Sequence, residues 1–265
     1  MLEQELEAVK QATRQAGEAI LSIAEEHYKT AASQADRSVV TKADIEADKI
    51  LQRHLRDGFG DYGWLSEETR DDGRRFQCER VWIVDPMDGT REFVMKVPEF
   101  VVSVALAEGG EVVLGVILNP STGDLFEAVT GAGTKLNGQS VLCDHEFDGR
   151  PKVEVSRSDI EKGYFTAYDG VLELSPCGSI AYKMARLAAG KSDGALSVTP
   201  KNEWDIAAGV LLVAEAGGRV TDLAGNVHRF NESDTLVDGV VAANQSAYGI
   251  IKRVVDERRH TQVDE

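Results

Sequence analysis

The chain has 265 residues, 42% of them hydrophobic and 28% charged, enough to bury a sizeable core as one large domain or two smaller ones. Its 29 Lys and Arg against 45 Asp and Glu give a net charge of -16, a field that repels nucleic acid polymers and anionic membranes, so an anionic ligand must be recruited by local cations. No stretch approaches the roughly 20 apolar residues of a membrane span, and Cys78, Cys143 and Cys177 lack disulfide-framework or CxxC zinc spacing, so a non-exported protein of the reducing cytoplasm is expected.

Leu2, Leu6, Val9, Ala16, Ile20 and Ile23 recur at three- and four-residue steps and predict a long opening helix that ends before the polar stretch Lys29 to Ser38. Ile45, Leu51 and Leu55 predict a second helix beginning near Thr41, a suitable cap. From Val81 the texture changes: VWIV, FVVSVAL and VVLGVIL are short β-branched runs bounded by Gly, Pro, Asp and Asn, which read as strands. The polar stretch from Cys143 to Pro151 places a boundary near residue 145, between an N-terminal α+β unit (1–145) and a C-terminal α/β unit (146–265). In the second unit VEVS, ALSV, GRVTD and DGVVAA read as strands and SIAYKMARLAAG and DIAAGVLLVAEAGG as helices closed by glycine. Tyr248 to Val255 reads as a final helix.

The segment most informative about chemistry is Trp82-Ile83-Val84-Asp85-Pro86-Met87-Asp88-Gly89-Thr90, where an apolar strand runs into two acids three residues apart. Pro86 and Gly89 turn the chain sharply, which can aim Asp85, Asp88 and the Met87 carbonyl into one concavity. Such hard oxygen donors suit Mg²⁺ or Mn²⁺ better than zinc. Asp-Pro and Asp-Gly are also ordinary turn dipeptides. Glu67 and Glu68 in isolation read as solvated surface acids, and Asp205 reads as a cap or first-turn acid of the helix it opens. No spacing rule links these three places.

Together, however, LSEE, WIVDPMDGTREF and EWDIAAGVLLVAEAGG resemble, in order and spacing, the three signature blocks of the inositol monophosphatase superfamily over nearly the whole chain. The resemblance implies a layered αβαβα sandwich and a metal-dependent, often lithium-inhibited phosphatase that hydrolyses a small phosphate monoester. It assigns the metals to Glu67, Asp85, the Met87 carbonyl, Asp88 and Asp205, with Glu68 standing behind Glu67. Asp44 and Thr90, with Glu67, would orient the attacking water. Two or three Mg²⁺ ions, with Mn²⁺ as a substitute, would neutralise the entering and leaving oxygens of an in-line displacement. The N–H groups of Gly89 and Thr90 would hold phosphate oxygens. The resemblance also leaves room for a homodimer.

Arg91-Glu92-Phe93 and Ser156-Arg157-Ser158 resemble the bacterial 3'(2'),5'-bisphosphate nucleotidase branch, and Gly178-Ser179-Ile180-Ala181-Tyr182-Lys183 is similar to the family's Gly-Ser block. That branch converts adenosine 3',5'-bisphosphate to AMP and phosphate. It implies substrate contacts at Arg157, Ser179 and Lys183, the lysine meeting the phosphate that is not cleaved. As isolated residues, Arg157 and Lys183 read equally as solvated surface charges. Ile180 departs from the branch, as does the spacing of Lys183, and Gly239 to Asn244 is equally familiar from inositol and histidinol phosphatases. The alternative is therefore an inositol-1-monophosphatase, or a histidinol or sugar phosphatase. A non-catalytic metal- or phosphate-binding homologue is the alternative of another class, and the intact Glu67, Asp85, Asp88, Asp205, Asp44 and Thr90 argue against it.

Overall fold

The computed structural model describes residues 2–30 and 37–263. Two helices come first, α1 (Glu3–Thr30) and α2 (Arg37–Leu51), the latter continued by a wide helical turn over Gln52–Arg56. Val9, Ala12, Ala16 and Ile20 form the fully buried stripe of α1. The helix runs two residues into the polar stretch expected to follow it, of which 31–36 lies outside the described residues. α2 begins before Thr41, which therefore sits inside the helix and not at its cap. Its buried stripe is Ala43, Ala47, Leu51 and Leu55, whereas Ile45, expected in that stripe, is 40% exposed. Steps of four from Leu55 lead back to Ala43, and Ile45 falls between them, on the other side of a 3.6-residue turn.

Next come β1 (Gly63–Ser66), β2 (Arg80–Asp88), the short helix α3 (Thr90–Val94), β3 (Val101–Glu108), β4 (Glu111–Leu118), β5 (Leu125–Val129), β6 (Thr134–Leu136) and β7 (Gln139–Val141). These seven strands form one sheet in chain order, β1 parallel to β2 and the rest antiparallel. Side chains of a strand alternate between faces. In β3, Val102, Val104 and Leu106 join the α1 and α2 core, while Val101, Ala105 and Ala107 join a second core on the opposite face. Burial on both faces explains why these strands read as unbroken apolar runs.

The remaining elements are β8 (Lys152–Val155), α4 (Arg157–Glu161), β9 (Glu173–Pro176), α5 (Ile180–Ala188), β10 (Gly194–Ser197), β11 (Lys201–Asn202), α6 (Glu203–Glu215), β12 (Arg219–Thr221), β13 (Leu236–Val237), β14 (Val240–Ala243) and α7 (Gln245–Val263). Five of the strands make a second sheet, ordered β12-β14-β10-β8-β9, and β11 pairs with β13. Ala195, Val240 and Ala242 face the layer of α5 and α6, while Leu196, Val241 and Ala243 pack with Ile251, Val254 and Val255 of α7. The layers are therefore helices, sheet, helices, sheet, helix, the expected αβαβα sandwich. α6 is apolar nearly all round its circumference because it lies between two sheets. The final helix starts at Gln245 and ends at Val263, longer than the expected Tyr248 to Val255.

Candidate active site

Register places the first two acids. β1 and β2 pair in parallel with Leu65 opposite Ile83 and Ser66 opposite Val84, and the Glu67 N–H continues the ladder by donating to the Val84 carbonyl at 3.3 Å. Glu67 thus follows the carboxyl end of β1 while Asp85 lies in the neighbouring β2, one position beyond the last β1 pair. Both keep the parity of Leu65 and Ile83, whose side chains face the α5 and α6 layer. Asp205 arrives from that layer as the third residue of α6. One of its oxygens, Oδ2, accepts the Asn202 N–H at 2.9 Å and completes a capping box. Ligand atoms of Glu67, Asp85 and Asp205 lie within 4.8 Å of one another. Asp205 is thus both the helix acid that its position suggests and a member of this cluster.

The electrostatics of the cluster are unfavourable without a cation. Burial, then Asp88, Glu67, Asp205 and Asp44, push the Asp85 carboxyl well above its ordinary value. Desolvation, then Asp88 and Glu68, raise Glu67 against a hydrogen bond with Asp85. Burial and Asp88 push Asp205 up to about 7, and burial, Glu68, Glu67 and Asp48 push Asp44 up to about 8. Crowded carboxylates in a low-dielectric site retain protons unless a cation replaces them. The all-oxygen donor set fits a hard divalent ion.

The turn after β2 is shaped by Gly89, at φ 100°; a Cβ there would stand 2.7 Å from the Glu99 carbonyl oxygen. Thr90 then opens α3. The Met87 N–H donates to Asp85 Oδ1 at 2.9 Å. Asp88 Oδ2 is held from α5, accepting the Ser179 hydroxyl at 2.6 Å and the Ala181 N–H at 2.8 Å. Ser179 therefore meets Asp88, and its φ of 51° is unusual for a non-glycine residue.

The basic residues have partners of their own. Arg157 lies in a fork on Glu99, Nη1 to Oε2 at 2.5 Å and Nη2 to Oε1 at 3.0 Å. Lys183 is 2% exposed within α5, and burial lowers its pKa. Arg91 is exposed beside Glu161 at 3.6 Å.

Asp48, one helical turn after Asp44, carries no motif signal beyond that i, i+4 step. Buried, it accepts the Ser66 hydroxyl at 2.7 Å, the Thr69 hydroxyl at 2.8 Å and the Gln52 amide at 2.5 Å, and so braces the loop that carries Glu67 and Glu68. Glu99, which joins Arg157 to the active-site turn, has no local sequence signal at all.

The chain is similar to known proteins over most of its length. A sequence profile of the inositol monophosphatase family matches residues 1–261. An inositol-1-monophosphatase of Mesorhizobium japonicum is 36% identical over 219 residues, 78% of each chain. The Nus factor SuhB of Escherichia coli is 30% identical, covering 86% of this chain and 88% of that one. An IMPase of Thermotoga maritima superposes with a TM-score of 0.80 at 27% identity, over 97% of this chain and 98% of the other. Among the described residues, no helix is long and apolar enough to cross a membrane. The chain belongs to the inositol monophosphatase family, and is a metal-dependent phosphatase of phosphate monoesters.

Proposed function

We propose that this phosphatase is a Mg²⁺-dependent inositol-1-monophosphatase. The convergence of Glu67, Asp85 and Asp205 within 4.8 Å is the observation that carries it. These three, with Asp88 and the Met87 carbonyl, would hold two or three Mg²⁺ ions, or Mn²⁺ in their place. Bound cations would neutralise the phosphoryl oxygens and make water easier to deprotonate. Asp44 and Thr90 orient that water; burial and the neighbouring carboxylates push Asp44 up to about 8, so without a cation it keeps its proton near neutral pH and bound cations would free it to accept one. Glu68 restrains Glu67, and the Gly89 and Thr90 N–H groups hold phosphate oxygens.

The substrate is the point at which the leading expectation from sequence gives way to its alternative. A bisphosphate nucleotidase needs cations for the phosphate that is not cleaved. Arg157 is already paired with Glu99 and Lys183 is buried, and relatives such as the Mesorhizobium enzyme are named as inositol-1-monophosphatases. Parallel kcat/KM measurements on inositol 1-phosphate and adenosine 3',5'-bisphosphate test this proposal. Inositol 1-phosphate is the better substrate if it is right, and faster turnover of the bisphosphate would return the enzyme to the nucleotidase branch.

We also propose that residues 1–145 and 146–265 are two units, with their strands in different sheets and α5 and α6 of the second unit forming the layer between those sheets. The free Cys78, Cys143 and Cys177 suit a reducing cytoplasm. The homodimer that the family resemblance allows is checked by sedimentation.

A further inference from the structure

Around Asp88 the contacts close into a ring that passes through Glu99. The turn at Gly89 presses on the Glu99 backbone, with no room for a Cβ. The Glu99 side chain reaches across to the C-terminal half, where Oε2 accepts the Gly178 N–H at 2.7 Å and Arg157 Nη1–H, while Oε1 accepts Arg157 Nη2–H. Gly178 leads into Ser179, whose hydroxyl donates to Asp88 Oδ2. Asp88 adjoins Gly89, and the ring is complete. Buried Glu92 fills the space beside Gly178, where a Cβ would fall 2.2 Å from its Cγ, and lies 3.6 Å from Arg157.

Several observations show that this ring is under constraint. Ser179 holds a positive φ that a non-glycine residue keeps only when its surroundings over-determine it. Both Asp88 contacts from α5 fall on one oxygen, Oδ2, leaving Oδ1 as the oxygen not engaged by them. The paired groups on Glu99 are charge-assisted and bidentate, the hydrogen-bond class with the sharpest geometry. Burial alone would raise the Glu99 carboxyl, yet the bonds from Arg157 and Gly178 hold it below its ordinary value.

We propose that Glu99 and Arg157 are positioning residues that fix the Gly178–Ser179 segment and thereby set the orientation in which Asp88 faces the phosphate site. Arg157 then acts through Glu99 and does not touch the substrate. This rests on the phosphatase assignment of the same site, and the experiment separates the two. Glu99→Gln, Arg157→Gln and the double variant are compared with the wild type on 4-nitrophenyl phosphate and inositol 1-phosphate. The readouts are kcat, KM and the Mg²⁺ concentration for half-maximal activity, with circular dichroism and thermal melting as fold controls. Each single variant is expected to lose about tenfold or more in kcat. The half-saturating Mg²⁺ rises and the substrate KM stays within about twofold, as expected when only transition-state alignment suffers. The double variant is expected to be no worse than the poorer single, because the two residues act as one unit. A Glu99→Gln chain that does not fold is replaced by Ser179→Gly, which removes the hydroxyl and relaxes φ, with the same expected pattern. Variants that fold and keep wild-type kcat and Mg²⁺ dependence overturn the inference. So does a KM rise confined to Arg157→Gln, which would make the arginine a substrate contact. Wild-type protein that hydrolyses neither monoester would instead remove the phosphatase assignment.

Discussion

Lys183 and Asp48 illustrate how burial sorts residues that look alike in a sequence. Lys183 is 2% exposed, with its pKa lowered by burial, so its charge is poorly placed to meet a soluble substrate. Lys183→Met keeps the volume and removes a charge that is costly to bury. It is expected to leave the ratio of kcat/KM for inositol 1-phosphate and adenosine 3',5'-bisphosphate within about twofold of the wild type, since only a direct contact discriminates between them. A selective loss on the bisphosphate would show that the lysine reaches the second phosphate. Asp48 accepts three side-chain hydrogen bonds. Asp48→Ala should destabilise the protein by about 2–3 kcal/mol in denaturant titration, and should raise the Mg²⁺ requirement by loosening the loop of Glu67. Turn chemistry singled out Asp85 and Asp88 as candidate metal ligands, whereas only the family blocks linked them to Glu67 and Asp205. What joins them physically is the parallel register of β1 with β2 and the seating of α6, and neither leaves a trace in spacing. Asp48 and Glu99 were not legible for the same reason: their partners lie on other elements, Glu99 bonding Gly178 from 79 positions away.

Between elements, the turn from β2 into α3 closely constrains the site. Gly89→Ala must place a Cβ 2.7 Å from the Glu99 carbonyl at a backbone φ of 100°. It should cost about 1–3 kcal/mol in stability and lower kcat by shifting Asp88, as strain at a functional turn does. Wild-type stability and activity in this variant would mean that the turn is softer than its geometry implies. Apolar periodicity identified α1, β2, β3, β4 and α6 because each buries a long continuous face. It misplaced the start of α2, where alanines and not Ile45 form the buried stripe. β6 and β7 also escaped it, being three residues each, with β7 at the sheet edge and largely open to solvent. Short, polar edge strands carry too little pattern to be read.

At the scale of the whole molecule, the acidic site sets a dependence of stability on pH. Asp44 and Asp205 are raised from 3.8 to about 8 and about 7, so without metal the folded state binds their protons more tightly than the unfolded chain does. Their contribution is fully present below the unfolded value of 3.8 and is lost as pH climbs through 7 and 8. A bound cation replaces those protons and stabilises the fold by mass action. The difference in Tm between chelator-treated and Mg²⁺-loaded protein should therefore widen from about pH 5 to about pH 8.5; a constant difference would place the metal away from these carboxyls. The central claim, that this cluster holds the cations of a phosphatase, is tested most directly by phosphate release from inositol 1-phosphate as Mg²⁺ is titrated into the wild type and Asp85→Asn. Asparagine keeps the volume of Asp85 but removes its charge. The account predicts Mg²⁺-dependent release by the wild type and a loss of more than tenfold in kcat, at least about 1.4 kcal/mol of transition-state stabilisation, in a folded variant at saturating Mg²⁺. Release that is independent of Mg²⁺, or a folded Asp85→Asn enzyme retaining more than about a tenth of wild-type kcat, would contradict it.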